Sequence, residues 1–293
     1  MSELGPVLEQ WHAAGEPYAL ASIVAAHGST PRAVGPALAV RRDGRVLGSV
    51  SGGCVDAAVY DLCMRALNDD EPGPHRETYA DAQDPFAPSL VCGGELVVEA
   101  RRVDPRQEQT PVGEVEDKPR LLVFGAVAFA DALIKMGKLL GYRVTVCDAR
   151  PIFATPERYP EAEEVVVEWP HRYLAATEID ARTAVCVLTH DEKFDVPVLQ
   201  QALRMPVGFV GAIGSRKTCA ARVDRLRALG LEEYELNRLR SPIGLDLGAH
   251  TPEEVAVSIL AEIIAVARGG SCLPLRTTEG PIHHRTGSPN SCL

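Results

Sequence analysis

Two short stretches set a cysteine beside paired glycines: Ser51-Gly52-Gly53-Cys54 and, further along, Cys92-Gly93-Gly94. Glycines without side chains let a bulky ligand approach the backbone amides directly. After Gly53 the apolar residues switch to helical period, with Val55, Val59, Leu62, Cys63, Ala66 and Leu67 on one face. Cys54 therefore falls at or near a helix N-terminus, where the dipole and unpaired N–H groups stabilise a thiolate. A thiolate beside an amide nest suits a soft-metal ligand, a sulfur carrier or a redox thiol. Cys92 with Gly93 and Gly94 could face Cys54 across a shared pocket, and the competing reading for each is a tight turn with a buried cysteine. The other cysteines are scattered among the eight with no C-x-x-C pair, which argues against a zinc ribbon. Cys63, Cys147, Cys186 and Cys219 read as small buried hydrophobes.

A second group lies where predicted strands end in the C-terminal half. "VFGAVAFADAL" has the place of a dinucleotide fingerprint, with Gly125 present but Val127 at the second glycine and Ala130 at the third. Valine there obstructs the approach of a pyrophosphate. Asp148, ending the next strand, could accept hydrogen bonds from ribose hydroxyls or be a solvated strand-end carboxylate. In "LTHDEKFD", His190 with Asp191 and Asp195 could move protons or bind a metal, or Asp191 could cap a helix. In "GAIGSRKT", Gly211 and Gly214 precede Ser215, Arg216 and Lys217 at a helix start, a combination suited to phosphate or simply a capped surface helix with exposed basic residues.

The elements that must position these residues are legible from periodicity. An N-terminal helix precedes the strand "YALASIVAAH". A hairpin turns at Asp43-Gly44. Later, "ELVVEARRV" reads as another strand, which makes the first part α+β. From "RLLVFGA" onward strands alternate with helices, implying a Rossmann-like, doubly wound parallel sheet. Its last helix carries Thr251, Pro252 and Glu254 in capping-box order. The polar segment 104–119 reads as a linker between domains at 1–103 and 120–268, and 269–293 as a flexible tail. The 293 residues carry a net charge of −10 and 46% apolar residues. This balance supports a globular core and argues against nucleic-acid or anionic-membrane partners. No signal peptide or apolar span stands out, so a cytoplasmic protein is expected.

"GSTPRAVGPALAV", "DGRVLGSVSGGCVD" and "CGGELVVEA", followed by "VFGA", "VTVCDARPIFA", "VCVLTHD", "VGAIGSRKT" and "SPIGLDLGAHTPEEVAVSILAEIIA", together resemble the XdhC/CoxI family in order over nearly residues 1–268. The resemblance implies a maturation factor for xanthine dehydrogenase-type molybdenum hydroxylases. Such a factor binds molybdenum cofactor (molybdopterin or its cytosine dinucleotide form), protects its sulfido ligand and delivers it to the apoenzyme. It implies Cys54 as the functional cysteine and metal contact, the Gly-rich loops as holding the pterin, and 211–217 as taking phosphate. A cysteine desulfurase and a second copy in a homodimer are the other implied partners. The family's Gly-Ala-Gly-His turn is Gly125-Ala126-Val127-Ala128 here, and Asp56 stands where Glu is usual. Two alternatives remain: an NAD(P) oxidoreductase using His190 as acid/base, which Val127 disfavours, and a thiol-redox or sulfur-transfer protein cycling Cys54 with Cys92.

Overall fold

The computed structural model describes residues 4–28, 34–69, 73–80, 89–90, 94–106, 118–279 and 282. The chain divides into two compact units, one built on residues up to Glu116 with the returning segment Leu275–His284, the other on Asp117–Pro274.

In the first unit, helix α1 (Leu4–Ala13) precedes strands β1 (Tyr18–His27), β2 (Gly35–Arg41) and β3 (Val46–Gly48). Helix α2 (Asp56–Asn68), β4 (His75–Tyr79) and β5 (Glu95–Val103) follow. The strands form one antiparallel sheet in the order β3-β2-β1-β5-β4. Alternation along β1 explains the layering, because successive side chains leave opposite faces. Ala19, Ala21 and Ile23 pack with Val59, Leu62, Cys63 and Leu67 of α2. Tyr18 and Leu20 pack with Leu4, Leu8 and Trp11 of α1. Each large side chain so buried contributes roughly 1.5–3 kcal/mol, and this fixes the start of α2 against the sheet. The hairpin turns at Gly44, where φ is 84°.

The second unit runs β6 (Arg120–Phe124), α3 (Ala128–Leu139), β7 (Arg143–Cys147), β8 (Glu164–Val166), α4 (Pro170–Ala176) and β9 (Ala184–Val187). It continues with α5 (Glu192–Ala202), β10 (Phe209–Ala212), α6 (Arg216–Ala228), α7 (Glu233–Leu236), β11 (Leu239–Arg240) and α8 (Pro252–Arg268). All six strands are parallel, in the order β11-β10-β9-β6-β7-β8. This is the Rossmann order, and its reversal point lies between β6 and β9. Both faces are covered, so β6, β9 and β10 are apolar almost throughout and fully buried. α3 and α8 share one core with Leu121, Val123 and Val146. α5 and α6 share the other with Leu122, Phe124 and Val187. Among the described residues no helix is long and apolar enough to cross a membrane.

Candidate functional site

In the first unit the Cys54 loop is held by its own polar side chains. The Asp56 carboxylate accepts from the amides of Val50 and Ser51 and from the Ser51 hydroxyl, each at 3.0 Å. Ser51 Oγ in turn accepts from the Val55 amide at 2.9 Å, and Ser49 Oγ from the Gly52 amide at 2.7 Å. Burial works to raise the Asp56 pKa, but the hydroxyl and amide donors of Ser49, Ser51 and Val50 outweigh it and hold the carboxyl below its ordinary value. Gly52 and Gly53 have φ of 75° and 126°, a region costly to other residues, and a Cβ on either would meet nothing within 4 Å. Above them is open space. Cys54 is exposed, just before the first turn of α2. Among the described residues the Gly53 and Cys54 amides have no hydrogen-bond partner. The loop thus presents a thiol and free amide donors to the same open side. Gly94 is buried at the start of β5, whereas Cys92 and Gly93 lie outside the described residues.

The second unit brings its predicted residues to the carboxyl edge of the sheet, where ligands bind in this topology. The glycine turn after β6 is tightly committed. Gly125 has φ of 117°, and a Cβ there would lie 2.6 Å from Thr189 Cγ2 and 2.9 Å from the Thr189 nitrogen. The Ala126 amide donates to Asp148 Oδ2 at 2.8 Å, and the Val127 amide to the Gly125 carbonyl at 3.0 Å. Two amides of the turn are therefore already bonded internally. Asp148 is 2% exposed. Besides Ala126, it accepts from the Arg150 amide, Nε and Nη2 at 2.8–2.9 Å. To receive a ribose diol it would have to release Arg150. Burial works to raise its pKa, but Arg150 and the two amides outweigh this and hold the carboxyl below its ordinary 3.8. A group with a depressed folded-state pKa stabilises the fold above its unfolded value and loses that contribution as pH falls through the folded one. Asp148→Asn should therefore melt lower than wild type at neutral pH, and the gap should close below pH 3.8, as thermal unfolding in acid would read.

The residues after β9 divide their roles. His190 is exposed. Asp191 is the N-cap of α5, accepting from the Lys193 amide. Asp195 turns inward, 2% exposed, to Thr189 Oγ1 and to Arg222 Nη2, the latter at 3.0 Å. Arg222 also donates to the Ile213 carbonyl at 3.0 Å and to Ser241 Oγ at 3.2 Å. This buried network joins α5 and α6 to the loop after β10, and the sequence marked Thr189 and Asp195, in "LTHDEKFD", but not Arg222. Burial pushes the Asp195 carboxyl up, against the opposing pull of Thr189 and Arg222.

At the start of α6, Ser215 caps the helix through the Thr218 amide at 3.1 Å. Arg216 and Lys217 are exposed. Arg216 lines a groove of about 390 Å³ with Cys219 and Ser241. Gly211 serves packing, since a Cβ there would lie 2.4 Å from Ile243 Cδ1. Gly214 abuts Cys219 Sγ, 3.2 Å from where its Cβ would stand. A groove of about 510 Å³ opens at the opposite edge of the sheet, beside Arg120, Arg143 and Tyr173. Among the described residues no three His, Cys, Asp or Glu side chains are grouped to hold a metal ion.

Comparison with known proteins adds to this geometry. A model of the XdhC Rossmann domain matches residues 121–263, and one of the XdhC and CoxI family matches residues 11–80. The chain is 31% identical over 255 residues to the uncharacterized protein YqeB of Escherichia coli K12, covering 85% of this chain and 43% of that protein. It therefore spans less than half the length of that relative. It is 28% identical over 302 residues to the molybdenum cofactor insertion chaperone PaoD of the same strain, covering 89% and 87% of the two chains. To a probable xanthine dehydrogenase subunit of Bacillus subtilis 168 it is 24% identical over 310 residues, covering 84% and 92%. A crystal structure described as a xanthine dehydrogenase from Bacillus halodurans shares the fold, with a TM-score of 0.70 and 22% identity over 93% of this chain and 97% of that one.

Proposed function

Since the chain belongs to the XdhC and CoxI family, we propose that it is a molybdenum-cofactor chaperone that protects sulfurated cofactor and delivers it to a xanthine dehydrogenase-type hydroxylase. The observation that carries this reading is the Cys54 loop: an exposed thiol beside free amides, on a turn that its own side chains hold open. A soft sulfur donor suits a thiophilic metal or its sulfur ligand, and amide donors suit the polar rim of a pterin. The cofactor is cargo here. In the first unit Cys54 contacts the molybdenum or its sulfido ligand and the loop with Gly52 and Gly53 holds the ring system; in the second unit, taken by itself, Ser215, Arg216 and Lys217 are a phosphate-binding group. Cys92, Gly93 and Gly94 belong to the same site in this reading. The match to a chaperone by name over most of both chains supports it. The cytosine dinucleotide form is the cargo this reading favours, because its longer phosphate-bearing part suits a Rossmann unit. A cysteine desulfurase supplies the sulfur, the protein works as a homodimer, and the site of action is the cytoplasm.

The test is an anaerobic titration of the purified protein with released molybdenum cofactor, read by reconstitution of an apo-molybdoenzyme. Tight binding and accelerated reconstitution are expected. Absence of both overturns the reading. The same preparation should show no tight binding of NADH by cofactor fluorescence, because the Ala126 and Val127 amides are already bonded and Val127 flanks the turn. Tight NADH binding would favour the oxidoreductase alternative.

A further inference from the structure

We propose that the segment following β7, from Asp148 to Tyr159, is a phosphate subsite, one that binds a phosphate group of the ligand where a dinucleotide-binding fold ordinarily reads a ribose diol. The inference deepens the cargo reading and rests on it for the identity of the natural ligand.

Three observations carry it. The acid at the end of β7 has its oxygens engaged by Ala126 and Arg150, so the usual partner of ribose hydroxyls is occupied. In its place two cations gather on one exposed aromatic ring. Arg150 lies 4.6 Å and Arg158 5.6 Å from the centroid of Phe153, which is 37% exposed. Arg158 also lies 5.7 Å from the Tyr159 ring. Ring contacts hold long side chains that would otherwise be free, so less rotamer entropy is lost when a ligand binds. The segment is anchored as well. Ala154 and Tyr159 are buried, and the Tyr159 hydroxyl reaches the Val127 carbonyl at 3.4 Å, beside the glycine turn.

The segment's charges balance, Asp148 and Glu157 against Arg150 and Arg158, so the attraction for an anion is local to the two guanidinium groups. Asp148 is matched by Arg150 at 2.8 Å, and Asp191, the other acid acting on Arg150, is matched by Lys193 at 2.8 Å. Arg158 has no carboxylate partner among the described residues. Guanidinium groups bind phosphate oxygens through paired, charge-assisted hydrogen bonds. Arg150 commits Nε and Nη2 to Asp148 and has Nη1 to offer.

Calorimetric titration of the full chain with cytidine 5′-monophosphate and with cytidine tests the subsite. The monophosphate should bind at least roughly tenfold tighter than the nucleoside, the effect of one charge-assisted contact. Arg158→Ala should erase that preference, and Arg158→Lys should retain part of it. Arg45→Ala, the same charge change on an exposed side chain of the first unit, should leave it intact. Equal binding of the two probes, no binding of either, or an unchanged preference in Arg158→Ala each overturns the proposal. Cofactor loading that persists without a phosphate preference would overturn the subsite and spare the chaperone reading. A phosphate preference without cofactor loading would do the reverse.

Discussion

Cys54→Ala should abolish cofactor loading and client activation while leaving the melting temperature within a degree or two of wild type. The two halves of this expectation have separate physical grounds. Cys54 is exposed, and the shape of its loop comes from Asp56, Ser49 and Ser51, none of which bonds through the thiol. Truncating it removes no packing and orphans no polar group. Binding loses its soft donor, and removal of such an anchor contact costs on the order of thirtyfold or more in affinity. Cys54→Ser separates shape from donor chemistry, because it restores the size and supplies oxygen in place of sulfur. It should bind closer to the alanine variant than to wild type. Titration with released cofactor, beside thermal unfolding of the same samples, reads both halves. Wild-type affinity in Cys54→Ala would remove the thiol from the site.

The largest stability effect is expected at Asp195. Removing one partner of a buried ion pair leaves the other charge uncompensated, at a cost of roughly 3–5 kcal/mol. Asp195 and Arg222 are 2% and 5% exposed at their side chains, so water offers little relief. Asp195→Ala would leave the buried Arg222 guanidinium to neutral partners such as the Ile213 carbonyl and the Ser241 hydroxyl. Burial already pushes the Asp195 carboxyl up, so the pair forms against a desolvation penalty, and a joint apolar replacement should recover most of the loss. Urea unfolding of Asp195→Ala, Arg222→Met and the double variant would measure this. The double variant should lie well above the sum of the singles, and strict additivity would show that the two side chains do not act as a pair.

Much of the frame was legible because it rests on local rules. The capping box at Thr251 and Glu254, the turn at Gly44 and the almost wholly apolar strands each report their own element. What escaped were elements and partners that local rules do not mark. β4, His-Arg-Glu-Thr-Tyr, is a polar edge strand in which only Tyr79 is buried, so it lacks an apolar signature. β11 has two residues and forms only because β10 offers it an edge. Arg222 sits in a strongly basic helix and looks like a solvated cation, yet its partner lies 27 residues away in sequence. At the candidate site, the glycine pattern identified the turns but not their purposes. Gly52 and Gly53 border open space, whereas Gly125 and Gly211 are small because Thr189 and Ile243 press on them. That difference belongs to tertiary neighbours, which spacing does not reveal.

The bond that the Ala126 amide donates to Asp148, with Arg150 clasping the same carboxylate, also bears on how a dinucleotide pocket could be rebuilt here. Restoring glycine at position 127 would clear a side chain from the turn but leave the acid engaged, so one substitution would not recover a dinucleotide pocket. Disengaging Arg150 alone would bare a buried carboxylate before any ribose arrived to satisfy it. The first change alone gains no pocket and the second alone is unfavourable, so a dinucleotide pocket requires both together.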